Sequence, residues 1–208
     1  MPTSTFFRLP EEKRQRLLHA AWTEFTQTPF INVSINRIIQ EAQISRGSFY
    51  QYFEDKNDLF QYLMGQVRGY FTSTMEEILA ESHGDLFAVP VGAFDRFLRR
   101  DGNPDLFLDR CIRVLRINPG MDFGHLCTDH PGHLPEELLE RVDRAGMRRQ
   151  DLAYLNQVFH MLVGTLAMAV AETLKAPDQW EQQRHALEER VEIVKYGSLL
   201  PEPVGLCT

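Results

Sequence analysis

Several features that are common in other proteins are scarce or missing in this chain of 208 residues, and each absence excludes a class of protein. Only three cysteines are present and none forms a CxxC pair, which argues against a disulfide framework and for a reducing compartment. The N-terminus lacks the apolar core of a signal peptide, and no uncharged apolar run reaches about 18 residues. We therefore predict a cytoplasmic protein without a membrane span.

Strand patterns and catalytic motifs are also missing. Helical spacing recurs along the chain without strand alternation, so the sequence predicts an all-α fold. No nucleophile elbow, phosphate-binding loop or HExxH motif occurs, so we expect neither an enzyme nor a bound cofactor. Metal-ligand residue types do gather at His125, Cys127, His130 and His133, but their spacing matches no standard zinc pattern. A polar loop beside a ligand cavity is favoured over a metal site there.

An excess of positive charge is missing too, since the formal net charge is −7. This charge predicts modest non-specific affinity for nucleic acid, because phosphate neutralisation by basic side chains drives that affinity. The deficit is unevenly distributed: residues 1–60 carry seven basic and seven acidic side chains, whereas residues 61–208 carry 15 and 22. The sequence therefore indicates a neutral N-terminal region followed by an acidic body.

Two short helical patterns joined by a turn stand out between residues 31 and 56. Ser34 is a suitable N-cap for the first pattern, in which isoleucines recur at helical spacing. Ser45 is a suitable N-cap for the second, and placing Phe49 inward also places Phe53 near the inward face. The opposite, polar face of the second helix then comprises Arg46, Gly47, Ser48, Tyr50 and Gln51.

This arrangement is typical of helix-turn-helix proteins, whose second helix enters the major groove with its N-terminal residues. A plain helical hairpin with a polar exposed face would show the same pattern. For base edges or close approach to the groove we predict Arg46, Gly47, Ser48 and Gln51. For phosphate contacts we predict Ser34, Ser45, Tyr50, Tyr52 and Lys56, with Arg37 as a weaker candidate.

The same stretch resembles the N-terminal signature of the tetracycline-repressor (TetR) family. The resemblance covers about residues 10–60 and rests chiefly on the run Ile44–Tyr50 with Ser34 and Lys56, although Gln43 and Val33 replace the usual Gly and Thr. Members of that family are all-helical homodimers with a variable, ligand-sensing C-terminal domain. The resemblance implies an N-terminal helix-turn-helix DNA-binding domain at residues 1–56, and a helical ligand-sensing and dimerisation domain at residues 57–208.

Apolar spacing and turn signals divide the rest of the chain. They predict a loose arm at residues 1–9, a first helix from Pro10 to the Pro29 break, and a loose tail at residues 197–208. Further helices are predicted at residues 57–82, 86–100, 105–117, 136–145, 148–175 and 178–196. Candidate residues for lining a ligand cavity, each of which also suits an ordinary core position, are Phe71, Phe94, Phe97, Cys111, Phe123 and Phe159.

Other patterns concern surfaces. Arg110, Arg113 and Arg116 share a helix face, which suits either solvent or an anionic ligand. The last two predicted helices would form a four-helix bundle with a second copy of the chain, the alternative being an internal core in a monomer. The predicted dimer interface comprises Phe159, Val163, Gly164, Ala167, Ala171, Trp180, Leu187, Val191 and Val194.

These observations favour a transcriptional regulator, more specifically a homodimeric repressor. It would bind a palindromic double-stranded DNA operator and be released by a small-molecule effector. The alternative is a helical protein-interaction module without specific DNA binding. The effector, the operator sequence and the direction of regulation are not encoded in any pattern described above.

Overall fold

A computed structural model describes residues 1–120 and 134–200 of the chain. Within those ranges the chain forms ten α-helices and no β-strand, which confirms the predicted all-α fold. The helices are α1 (Ser4–Phe7), α2 (Glu11–Gln27), α3 (Ile35–Ala42), α4 (Arg46–Tyr52), α5 (Lys56–Glu81), α6 (Val89–Phe97), α7 (Leu106–Ile117), α8 (Glu136–Leu139), α9 (Leu152–Lys175) and α10 (Trp180–Ser198). Short 3₁₀ turns occur at Phe30–Asn32, Leu86–Ala88 and Pro177–Gln179.

Most predicted helices are confirmed to within a few residues, and the structure differs from the prediction in four places. The predicted loose arm at residues 1–9 is wrong, because α1 forms there and Phe6 is fully buried. α6 ends at Phe97 because Leu98 is extended and forms an isolated bridge with Pro104. α8 is four residues long, shorter than predicted, and α10 continues to Ser198, beyond the predicted start of the tail.

The described residues form two compact units. The first contains Met1–Tyr70 and residues 106–120, and the second contains Phe71–Asp105 and residues 134–200. α5 therefore contributes its first part to one unit and its last part to the other. The functional division at residue 56 stays a prediction, because compactness does not reveal which residues sense a ligand.

In the first unit, α2 packs against α3 and α7. The apolar stripe of α2 is buried, including Trp22, as the sequence predicts. The guanidinium carbon of Arg110 on α7 lies 4.8 Å from the centre of the Trp22 ring, within the range of a cation–π contact. Burial lowers the pKa of the Arg110 guanidinium, which nevertheless starts far above neutral pH. This contact fixes α7 against the helix that supports α3.

In the second unit, α9 packs against α10 and α6. The Tyr154 hydroxyl donates to the Ser198 carbonyl at 3.3 Å, so the start of α9 lies beside the end of α10 and the two helices run antiparallel. By length and composition α9 is the one helix among residues 1–120 and 134–200 that is long and apolar enough to cross a membrane. That criterion is weak here, because the core helices of soluble proteins also meet it.

Candidate nucleic-acid interface

Two serine caps define the helix pair α3 and α4. Ser34 is extended and its hydroxyl accepts from the Arg37 amide at 3.5 Å at the start of α3. Ser45 is likewise extended, and its hydroxyl accepts from the Ser48 amide at 3.0 Å. Because each hydroxyl satisfies a free amide of a first turn, both helices begin where the sequence predicts.

The turn between these helices depends on Gln43. This residue has φ 56° and ψ 44°, in the left-handed region, and its backbone amide bonds to the Gln40 carbonyl. The Ile44 amide then donates to the Ile39 carbonyl at 3.0 Å and closes the end of α3. The turn therefore keeps the geometry that a glycine would allow, but with a side chain that makes this conformation less favourable.

α4 separates an apolar face from a polar one. Phe49 and Phe53 are both fully buried, at 0% exposure. Arg46, Gly47 and Gln51 are exposed, whereas Ser48 is half-buried. The inward and outward sides of the helix are therefore those that the sequence predicts.

Arg46 is held at the surface by neighbouring side chains. Its Nη1 donates to Asn36 Oδ1 at 2.8 Å, and its Nη2 donates to the Tyr50 hydroxyl at 3.4 Å. The guanidinium also lies 5.7 Å from the centre of the Tyr50 ring. Asn36 on α3 was not predicted to belong to this site. It limits the directions in which the Arg46 guanidinium points.

Gly47 lies in open space on α4. A Cβ atom added there would meet only the Ser45 hydroxyl, at 3.9 Å, which is an ordinary van der Waals contact. Nothing within the described part of the chain therefore requires glycine at this position. The predicted groove contact offers a reason for the small size of Gly47, because glycine lets the backbone of α4 approach a ligand closely.

Two of the predicted phosphate contacts have structural roles. Tyr52 is buried at 8% exposure and lies 6.3 Å from Phe6 between ring centres. The Lys56 ammonium lies 2.9 Å from the carbonyl oxygens of Phe30 and Ile31 and 3.5 Å from that of Val33. Since an ammonium has three protons, these bonds occupy all its donors and tie the start of α5 to the turn before α3.

The turn before α3 is also held from α7. Asn118 Oδ1 accepts from the Phe30 amide at 2.7 Å, and Asn118 Nδ2 donates to the Val114 carbonyl at 2.8 Å. The Phe30 amide and carbonyl are therefore both satisfied by side chains distant in sequence. The sequence showed only a turn signal at Asn118, so this role was not predicted.

The N-terminal residues support the far end of α4. The Thr3 amide donates to the Tyr52 carbonyl at 3.0 Å, and the Thr3 hydroxyl donates to the Gln51 carbonyl at 2.6 Å. Phe6 packs on Phe53, with ring centres 4.9 Å apart. α1 therefore caps α4 with hydrogen bonds and covers its apolar side.

The candidate ligand-cavity residues do not all belong to one unit. Phe71, Phe94, Phe97 and Phe159 are buried in the second unit, whereas Cys111 is buried in the first. Phe123 lies outside the described residues, as do His125, Cys127, His130 and His133. Among the residues that are described, no cluster of metal-ligating side chains occurs.

The basic face of α7 is not uniform. Arg110 lies over Trp22, and Arg113 pairs with Asp109 at 2.7 Å on the same helix. Arg116 is exposed. These different environments favour a structural role for Arg110 and a solvated one for the others.

An open depression of about 520 Å³ lies on the second unit. Arg184 in its wall donates to both carboxylate oxygens of Asp95, at 2.7 and 2.9 Å, and these bonds raise the pKa of Arg184. Much of the charge in the depression is therefore already paired. Its lining residues are Asp95, Arg100, Trp180, Glu181, Arg184, His185 and Glu188.

The predicted dimer interface divides into two sets. Phe159 is buried within the single chain, as are Trp180, Leu187, Val191 and Val194 of α10, and their part in an interface stays a prediction. The four residues of α10 face inward because α10 uses them to pack on α6 and α9. The other predicted residues, which are all exposed on α9, are Val163, Gly164, Ala167 and Ala171.

Comparison with known proteins finds sequence similarity in the N-terminal segment that contains α3 and α4. Residues 17–63 match the model of a family described as bacterial regulatory proteins, tetR family. An HTH-type transcriptional regulator from Staphylococcus aureus (strain bovine RF122 / ET3-1) is 34% identical over 74 residues, which is 36% of this chain and 40% of the relative. The chain thus spans about 40% of the length of the curated relatives it matches.

Solved structures extend the likeness of fold over most of the chain. A transcriptional regulator from Rhodococcus sp. Rha1 is 13% identical with a TM-score of 0.57, and the match covers 90% of this chain and 98% of that chain. At this identity the likeness concerns the fold alone. A TetR family transcriptional regulator from Chloroflexus aurantiacus J-10-FL is 27% identical with a TM-score of 0.49, covering 97% and 100% of the two chains.

Proposed function

We propose that this chain is a member of the tetR family of bacterial regulatory proteins, whose model matches residues 17–63, and that it regulates transcription by binding double-stranded DNA as a homodimer. The observation that carries the proposal is the orientation of α4. Its Phe49 side is fully buried, while Arg46, Gly47 and Gln51 are exposed on a helix that begins at a serine cap. Such a helix suits the major groove.

Within this proposal, α4 reads the bases and α3 sets the register. Arg46, Gly47, Ser48 and Gln51 approach the base edges, and Arg46 prefers guanine because its two nitrogens match the two acceptors of that base. Ser34, Ser45, Tyr50 and Arg37 contact phosphates, which orient the protein without reading sequence. Tyr52 supports the shape of the site from inside, because it is buried, and Lys56, which is half-buried, does so through its carbonyl partners.

The proposed second copy docks on the exposed face of α9. Met161 and Met168 are 54% and 53% exposed, and Gly164, Ala167 and Ala171 are exposed between and beside them. A contiguous apolar surface of this kind favours burial against a partner. Two copies would join their last helices in a four-helix bundle and present two α4 helices to a palindromic operator.

The proposed effector is a small molecule that binds among the buried aromatic residues of the second unit. Phe71 and Phe97 lie 4.8 Å apart between ring centres there. A ligand changes DNA affinity only if it binds the DNA-competent and DNA-incompetent states with different affinity. On this proposal the chain acts as a repressor in the cytoplasm, where such an effector releases the DNA.

Selection from a random DNA library tests the proposal directly. The wild-type protein should enrich a near-palindromic site with two half-sites about one helical turn apart, or a multiple of that spacing. Arg46→Ala should relax the base preference at one position in each half-site, with a loss of about 1–3 kcal/mol of discrimination. Arg113→Ala, which changes an exposed arginine on α7, is the matched control and should leave the selected sequence unchanged.

The alternative function is a helical protein-interaction module. The net charge of −7 favours this alternative, because a negatively charged protein binds DNA less well. Under that alternative, selection would enrich no sequence, and Arg46→Ala would have no effect on DNA affinity at low salt.

A further inference from the structure

Glu24 on α2 is a buried carboxylate that serves α3 rather than its own helix. Its exposure is 7%, and its Oε1 accepts from the Ser34 amide at 2.9 Å. The same oxygen lies 2.7 Å from Arg37 Nη2. A buried carboxylate is unfavourable unless it is paired and hydrogen-bonded, so Glu24 strongly favours the position of α3 that provides both partners.

The contacts of Arg37 are concentrated on one nitrogen. Besides the pair with Glu24, its Nη2 lies 3.5 Å from Thr28 Oγ1 and 3.4 Å from the Asn32 carbonyl. Within residues 1–120 and 134–200, its Nε and Nη1 make no hydrogen bond, and the side chain is 57% exposed. The guanidinium is therefore anchored by one edge and presents donors to solvent along the other.

We infer that Glu24 is a positioning residue that holds Arg37 in the orientation for contacting a DNA phosphate. The inference rests on the proposed function and adds to it a residue that does not touch DNA. An arginine that is already immobilised loses less side-chain entropy when it binds, and its planar fork suits a phosphate. Arg37 lies in the first turn of α3, where the positive end of the helix dipole also favours an anion.

The opposite effect of Glu24 would be to weaken the attraction of Arg37 to phosphate, and the sign of the change in DNA affinity distinguishes the two effects. A carboxylate 2.7 Å from the guanidinium could instead neutralise Arg37 and weaken its attraction to phosphate. Removing the carboxylate charge would then strengthen binding to DNA and make it more sensitive to salt. A purely structural Glu24 would affect folding without changing the number of phosphate contacts.

The test compares Glu24→Gln with Arg37→Gln and the double variant. Glutamine keeps an acceptor for the Ser34 amide and removes the charge that anchors Arg37. DNA affinity is measured from low to high salt on the duplex that the wild-type protein selects from a random library. The logarithmic salt slope counts phosphate contacts, at about 0.9 per contact on duplex DNA.

Both single variants should bind about tenfold more weakly at low salt, with a slope shallower by about 0.9 for each subunit. The double variant should bind no more weakly than Arg37→Gln, because Glu24 acts through Arg37. Glu12→Gln is the matched control, since it removes the same charge from the Glu12–Arg16 pair on α2. It should leave the slope unchanged.

A steeper slope for Glu24→Gln, or an unchanged slope with a lower melting temperature, would overturn the inference. Losses that add fully in the double variant would do the same. If the wild-type protein selects no DNA sequence at all, the proposed function fails first. If it selects a sequence and Glu24→Gln keeps the wild-type slope, only the role of Glu24 fails.

Discussion

At the residue scale, Gly47 and Gln43 are two positions whose residue type the fold alone does not favour. Gly47 lies in the first turn of α4, where its surroundings would accommodate a Cβ atom. Gln43 adopts a left-handed conformation that glycine adopts more readily. Gly47 thus lowers the stability of α4, and nothing within the described residues requires glycine there. Gln43 maintains the turn in a backbone conformation that is unfavourable for a residue with a side chain.

Gly47→Ala should separate stability from DNA binding. Alanine in the first turn of α4 should raise the free energy of unfolding by up to about 0.5–1 kcal/mol, because alanine has less conformational freedom to lose than glycine. The added methyl should weaken binding to the selected DNA about tenfold, if α4 approaches the groove closely. Gly69→Ala, on α5 and also in open space, is the matched control that should stabilise without affecting DNA affinity. Equal DNA affinity of both variants would contradict the close approach of Gly47.

Gln43→Gly should stabilise the turn between α3 and α4. Glycine relieves the strain of the left-handed conformation but loses more conformational entropy on folding. The first effect should be larger, so that the free energy of unfolding rises by about 0.5–1 kcal/mol. Gln40→Gly, within α3, should instead lower it by about 1 kcal/mol. Urea denaturation measures both, and destabilisation by Gln43→Gly would show that the Gln43 side chain makes a favourable contribution.

At the element scale, α1 and α7 support the helix pair, one preceding it in the sequence and the other following it. α1 provides Thr3 and Phe6 to the end of α4, and α7 provides Asn118, just after its last residue, to the turn before α3. Both supports are side chains that satisfy backbone groups or fill the core. The exposed face of α4 is therefore held by elements that would not touch DNA in the proposed complex.

Phe6→Ala should show that α1 is an integral element of the first unit. Loss of a fully buried aromatic side chain should lower the free energy of unfolding by about 3 kcal/mol. Phe7→Ala is the matched control, because Phe7 is 53% exposed and should lose under about 1 kcal/mol. The measurement is urea denaturation followed by circular dichroism. Equal small effects of the two changes would indicate that α1 detaches without consequence.

At the scale of the whole molecule, the proposed dimer depends on the exposed face of α9. In the second unit, α9 buries Leu155, Val158, Phe159 and Leu162 against neighbouring helices, yet leaves Met161 and Met168 exposed. A soluble monomer would gain little from this second apolar face. A homodimer would bury it and would provide the two reading helices that a palindromic operator requires.

Ala167→Glu should dissociate the proposed dimer. A carboxylate on the apolar face of α9 would be buried next to its symmetry-related copy, and both desolvation and repulsion oppose that arrangement. Sedimentation equilibrium should give a monomer mass for this variant and a dimer mass for the wild-type protein. Ala145→Glu, at an exposed position outside that face, is the control and should remain dimeric. A dimeric Ala167→Glu protein would place the interface elsewhere.

The sequence by itself determined the helical periods, the two serine caps and the inward side of α4, because these depend on neighbours within one or two helical turns. It also indicated a turn at Gln43, but the left-handed conformation of that residue came from the structure. The resemblance to a known family extended this local information to a function.

Only the tertiary structure decided what holds these parts together. No pattern in the sequence singles out Glu24, yet it is buried against Ser34 and Arg37, ten and thirteen residues further along. Lys56 reads as a phosphate ligand, yet its ammonium bonds to carbonyls of the turn before α3. Such partners are selected by the packing of whole helices, and a pattern along the chain carries no information about which distant group will satisfy a buried charge.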